Sequence, residues 1–333
     1  MANRIKEKYM AGKRYFDYPM LFLVIFLICF GLVMIYSTSS YKSTVTYGNS
    51  YHWLLRQAVA IVLGAVAMVV CCKLDYHIIK SEKFGNGCYW ASIVLLVLVL
   101  IIGAAKKGAV RWISIAGFQF QPSEVSKILV VIYLANRLSA NAHKIRTFKD
   151  SIVIVLPTVP IIALIVTQNL STALVVCSMI GVMLFVVSPK MKELMLTAGG
   201  GIILLFVYLL TANSYRNERV QIWLHPESHK KGFQTMQALY AIGSGGIFGK
   251  GLGQSMQKMG FIPESHNDMI FSIICEELGL FGAVCLILVF VALIFRMLLI
   301  ALNTEDLFGS LIVIGFMTHI ACLLYTSPSP RDA

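Results

Sequence analysis

The stretch GFIPESHNDMIFSIICEELGLFGAVCLILVFVALIF, residues 260–295, changes character at Met269. Before that point Glu264, His266 and Asp268 crowd three titratable groups into five positions. After it, residues 269–295 form an apolar run interrupted by the acidic pair Glu276 and Glu277. Such a run is long enough to cross a bilayer, which takes roughly 17–25 helical residues. Eight further apolar runs lie at 18–37, 53–72, 88–104, 121–137, 151–167, 172–188, 194–212 and 308–325. With 58% hydrophobic and only 13% charged residues, the chain has too few charges to cover a soluble surface. A helix is the open-ended segment that satisfies its own backbone in lipid. The expectation is therefore an all-α, polytopic transmembrane helical bundle of nine spans.

Lysine and arginine orient it. With residues 1–17 in the cytoplasm, the inner segments hold fifteen basic residues, from Arg4 to Arg296. The short outer loops hold four: Lys42, Lys106, Lys107 and Arg111. That asymmetry is a positive-inside bias. The net charge of +12 then reads as a topological and anionic-lipid signal, and no basic run or soluble recognition fold accompanies it to suggest nucleic-acid binding. The first apolar stretch, near twenty residues, is longer than a cleaved signal core and reads as an uncleaved span. All eight cysteines fall in or beside spans, without a CxxC spacing, so they imply packing and neither a disulfide framework nor zinc.

No repeat or linker divides the chain, which leaves one membrane domain, 18–325, with a large outer loop at 213–268. The glycine cluster GSGGIFGKGLG at 243–253 fails as a phosphate loop, because Ser244 and Gly251 stand where that motif needs glycine and a hydroxyl residue. What remains is exposed backbone that permits close approach of a ligand or a helix, with Lys250 adding charge, or a tight re-entrant turn without a ligand. A second constellation lies in AAKKGAVRWISIAGFQFQPSEVSK, 104–127. Arg111 and Trp112 lie in an outer loop against the charge trend, which suggests an outward-facing anionic ligand. Pro122 and Glu124 suit a helix start. Glu124 and Lys127, three apart, share a face just inside the membrane, where ionisable groups default to function but could also simply pair. Glu276 carries less weight, as a group that could neutralise a neighbour in the bundle.

The segments RWISIAGFQFQPSEVSK, YAIGSGGIFGKGLGQS and PESHNDMIFSIICEELGLFG, with LLRQ and LDYH earlier, resemble the SEDS family of shape, elongation, division and sporulation proteins, of the FtsW, RodA and SpoVE type. The resemblance runs from about Asp17 to about Ala321. It implies a ten-helix membrane fold, peptidoglycan glycosyltransferase activity on lipid II, and a class B penicillin-binding protein as transpeptidase partner among other divisome or elongasome membrane proteins. It further implies a bacterial plasma membrane location with the active site on the extracytoplasmic face. Asp268 matches the family's essential carboxylate, Glu124 and Lys127 its pair after QPS, and Arg216 and Arg219 its basic pair at the start of the large loop. Asn169 and Ser171 depart from an expected Asp and Gly, and Asn267 from a common Thr. The chain closes on CLLYTSPSPRDA with neither a tenth span nor the proline-rich stretch and Ser-Tyr-Gly-Gly that the family leads one to expect. A break of frame or an assembly join near Ala321 is the expectation, with the tail 326–333 foreign to the family.

The chemistry accounts for these residue types. Polymerisation of lipid II attacks an anomeric carbon bearing a diphosphate with the 4-hydroxyl of another sugar. A positioned carboxylate acting as general base lowers that barrier by about a hundred- to ten-thousandfold, and Asp268 is the candidate. The departing diphosphate gathers charge, which Arg111, Lys127, Arg216, Arg219 and Lys250, or a bound divalent cation such as Mg or Mn, would stabilise; no organic cofactor is called for. His266 is equally an orienting partner of Asp268 or an interfacial side chain. An α-linked diphosphate becoming a β-linked chain implies inversion. Two other classes compete: a flippase for lipid-linked precursors, which should gather its polar groups at the midplane between repeated halves, and a non-catalytic scaffold for the transpeptidase.

Overall fold

The computed structural model describes residues 16–106, 109–115, 118–145, 147–188, 193, 196, 199–200, 225–228, 232–262, 265 and 267–326. The expected span 194–212 and the tail 326–333, of which only Thr326 is described, lie almost wholly outside them, and Arg216, Arg219, Pro263, Glu264 and His266 lie outside as well. The other eight expected spans are helical.

Helix α1, Tyr18–Tyr47, starts at Asp17, whose side chain accepts from Met20 N at 2.9 Å, and stops at Gly48, where φ of +67° suits glycine. It outruns its apolar stretch by ten residues. The hydroxyls of STSSYKST bond back to the helix, as Thr38 Oγ1 does to Met34 O at 2.8 Å and Thr44 Oγ1 to Ser40 O at 2.9 Å, so the polar end stays helical. Helix α2, His52–Lys73, buries no residue against the protein and presents its apolar surface outward. Helix α3, Glu82–Ile102, leads into a small antiparallel meander, β1 Ala104–Lys106, β2 Ala109–Ile115 and β3 Phe118–Phe120, where the sequence predicts only a loop. The alternation of apolar and polar residues in ISI and FQF supplies the strand pattern. Helix α4, Pro122–Asn141, follows.

The run 151–167 is two helices, α5 Phe148–Val155 and α6 Val159–Gln168, joined by a 3₁₀ turn at Leu156–Thr158. Pro157 and Pro160 each lack the N–H that a continuous helix would use. Asn169 alone links α6 to α7, Leu170–Val187, and caps it by accepting from Ser171 N at 3.0 Å and Thr172 N at 3.4 Å. Capping needs only the side-chain oxygen, so Asn in place of the family's Asp retains it. Helix α8, Phe233–Gly245, lies inside the expected large loop. Helices α9, Ile270–Asn303, and α10, Leu307–Thr326, close the described bundle.

The apolar core lies between α3, α4, α6, α7 and α10, where Leu96, Leu134, Ile161, Met183 and Phe308 are fully enclosed. At the face where α1 begins, Arg296 Nε meets Asp17 Oδ1 at 3.0 Å and Lys80 Nζ meets Asp306 Oδ1 at 2.6 Å. Burial alone would raise the Asp306 carboxyl, but the bonds from Lys80 and the Gly309 N–H hold it below its ordinary range. These pairs tie the start of α1, the α2–α3 connection and the α9–α10 connection to one face. The N-termini of α4 and α9 are then at the opposite, far face.

Candidate active site

The far-face site is built on a broken helix. At Gly279 α9 leaves helical geometry, with φ +71° and ψ −172°. The break frees backbone groups that lipid could not satisfy, and the glycine cluster supplies their partners. Lys250 N donates to Glu276 O and Gly251 N to Glu277 O, both at 2.9 Å, while Leu280 N and Phe281 N donate to Gly246 O and Ile247 O at 2.9 and 3.0 Å. A Cβ on Gly245, Gly249 or Gly279 would overlap backbone atoms across this contact. The glycine cluster therefore serves close approach of a helix, one of the roles its sequence allows.

Asp268 stands exposed in the turn before Ile270, at the head of the short half of α9. Ile262, Met269 and Ile273 pin that turn against Ala238 and Ala241 of α8. Ser265, itself buried, donates to Thr38 O of α1 at 3.4 Å. The turn therefore presents an exposed carboxylate on a backbone that its neighbours hold in place.

The acidic pair that the sequence left in second place forms the buried centre. Glu276 is wholly enclosed and takes Lys250 Nζ at 2.8 Å, the Ser255 hydroxyl, and the N–H groups of Met256 and Gln257 at 3.3 and 3.4 Å. Glu277, also wholly enclosed, takes Lys258 Nζ at 2.8 Å and the Ser37 hydroxyl at 2.7 Å from each oxygen. Lys250 thus enters the site as the counter-ion of Glu276, with about a third of its side chain still exposed (35%). Lys258, Ser37 and Ser255 escaped the sequence reading because their partners lie 19, 240 and 21 residues away. The one available signal was a run of hydroxyls, 37–44, continuing an apolar helix.

At the start of α4, Lys127 Nζ meets Glu124 Oε2 at 2.8 Å. Lys127 is buried, with 3% of its side chain exposed, whereas Glu124 is half exposed, so the pair opens on its acidic side. His319 of α10, unremarked in the sequence, lies within charge range of both. Arg111 is on β2, the strand that leads towards α4. Among the described residues no three His, Cys, Asp or Glu side chains converge as a resident metal would require.

Fold and site together define a multi-pass membrane protein whose buried charges among the described residues, Lys127, Lys258, Glu276 and Glu277, lie towards the far end of the bundle. The chain belongs to the cell cycle protein family of FtsW, RodA and SpoVE, whose model matches residues 18–326. Among its relatives, a probable peptidoglycan glycosyltransferase FtsW of Geobacter metallireducens is 35% identical over 313 residues, covering 91% of this chain and 82% of its own. Stage V sporulation protein E of Bacillus subtilis is 34% identical over 315 residues, covering 92% and 84%. A solved chain from a peptidoglycan synthase complex that coordinates polymerization and crosslinking superposes with a TM-score of 0.75 at 26% identity, covering 95% of this chain and 87% of that one. The rod shape determining protein RodA of Thermus thermophilus gives 0.67 at 26% identity, covering 93% and 83%.

Proposed function

We propose that this protein is a peptidoglycan glycosyltransferase that polymerises lipid II, with Asp268 as general base. The observation that carries the role of Asp268 is its place: an exposed carboxylate on a pinned turn at the head of a broken membrane helix. Family membership and the names of the relatives support the activity. In this reading the lipid tail stays in the bilayer while its diphosphate and sugars reach the far face, which is extracytoplasmic in a bacterial plasma membrane.

Asp268 takes the proton of the acceptor 4-hydroxyl as its oxygen attacks the anomeric carbon of the donor. The bond to the diphosphate breaks, the electron pair leaves with that group, and the configuration inverts. Arg111, Arg216, Arg219, Lys250 and His266 are the proposed contacts for the diphosphate and sugars, with Glu124 and Lys127 shaping the cavity wall. A hydrolase would need a second carboxylate and a placed water, whereas a donor with so good a leaving group needs the base alone. The described residues do not form a metal site of their own; a Mg or Mn ion would come in on the diphosphate, held by one or two carboxylates at most. A flippase is disfavoured because the buried charges are already paired with each other, and a class B penicillin-binding protein is the proposed partner.

The test is polymerisation of labelled lipid II by the purified protein, alone and with its transpeptidase. Asp268→Asn, nearly isosteric but unable to take the proton, should lower the rate by about a hundredfold or more. Glycan strands made at the normal rate by that variant would remove Asp268 from the chemistry.

A further inference from the structure

Glu277 and Lys258 form a charge pair with 0% and 5% of their side chains exposed, inside a membrane-spanning bundle. Charges so placed are costly, and an apolar pair of similar volume would hold as well or better. Their geometry shows what they add. Lys258 Nζ reaches Glu277 Oε1 at 2.8 Å and Ser37 Oγ at 3.2 Å, and Ser37 Oγ reaches both Glu277 oxygens at 2.7 Å, which closes a cycle. The three members come from three segments: the far half of α1, the loop before Asp268, and the half-helix after it.

The half-helix needs such a tie. It runs from Ile270 to Leu278 before the break at Gly279, and helices this short do not hold themselves. Asp268 lies just before its first residue and Glu277 is its penultimate one. A lever of about 14 Å at 1.5 Å per residue separates them, so a shift at Glu277 moves Asp268. The loop leading into Asp268 is tied to α1 as well, through Ser265 and Thr38 O. A cavity of about 570 Å³ opens between α1 and this loop, lined by Ser37, Lys258, Tyr36, Leu252 and Met259. Beside that space the polar cycle bridges α1 to the loop and the half-helix.

We propose that Ser37, Lys258 and Glu277 are positioning residues for Asp268, acting on turnover and leaving substrate affinity alone. The proposal rests on Asp268 as the base. Ser37→Ala removes the α1 bond without orphaning a charge; it should lower kcat about tenfold with KM and melting temperature near wild type. Lys258→Met with Glu277→Met removes both charges together, so the protein should stay folded. Its kcat should fall by about a hundredfold, and amide hydrogen exchange should quicken across residues 268–278. Lys258→Arg should recover part of the turnover lost in Lys258→Met. Wild-type kcat in Ser37→Ala and in the double variant, a loss confined to KM, or an Arg variant no better than Met would overturn the proposal. Asp268→Asn is assayed alongside: if it still polymerises, the base assignment fails, while hydrogen exchange still decides whether the cycle holds the half-helix.

Discussion

Lys127 and Glu124 differ in exposure by so much that their roles separate. Lys127 is held in the bundle with Glu124 as its counter-ion among the described residues, whereas Glu124 keeps half its surface in the open. Lys127→Ala leaves that carboxylate without its cation and should cost specific activity at least about tenfold. Glu124→Gln keeps an acceptor for the lysine but removes its counter-charge, so it should lower activity and cost stability only modestly, by about 1 kcal/mol, because the pair opens to solvent on the Glu124 side. Polymer yield and melting in detergent, measured together, check both. If each variant only melts earlier at full specific activity, the pair is structural. Position 124 and position 127 were legible because three residues along a helix is a local distance. Ser37 and Lys258 were not, since their meeting with Glu277 is a fact of packing between distant segments.

At the scale of elements, the interlock of the glycine cluster with the break in α9 sets the site. Gly249 has φ of +78°, and a Cβ there would overlap Glu277 O and Gly279 N. Gly249→Ala therefore meets both a backbone penalty and a steric one, and should destabilise the protein by about 2–4 kcal/mol. Thermal unfolding in detergent measures it. Gly253→Ala is the control, since its φ of +80° is as strained but no atom lies within 4 Å of the added carbon, so it should cost less. Hydropathy showed α9 as one run because both halves are apolar; the break is invisible to a scale that ignores backbone angles. The meander at 104–120 was likewise unread as strands, because two of its three strands have only three residues. The hydroxyl-rich end of α1 looked like the end of a span and is helix to Tyr47, since side-chain bonds to the backbone satisfied it locally.

For the whole molecule, the ion pairs Asp17–Arg296 and Lys80–Asp306 mark one face, and the positive-inside bias predicts that this face is the cytoplasmic one. Thr46→Cys, near the end of α1, should react with an impermeant maleimide in intact cells with an opened outer layer. Lys83→Cys, at the start of α3, should react only after the membrane is permeabilised. The reverse pattern would turn the site inward and away from the proposed extracytoplasmic chemistry. Length and hydropathy determined the membrane class and the place of most apolar helices, and charge asymmetry their expected sense, because the bilayer imposes those through properties each segment carries by itself. The motif around Asp268 likewise announced itself, as charges beside an apolar run. Only the tertiary structure decided that Glu276 and Glu277 are the buried centre and that the glycines serve a helix break. It also enlisted Ser37 and Lys258, for such bonds join residues tens to hundreds of positions apart and exist only once the helices have packed.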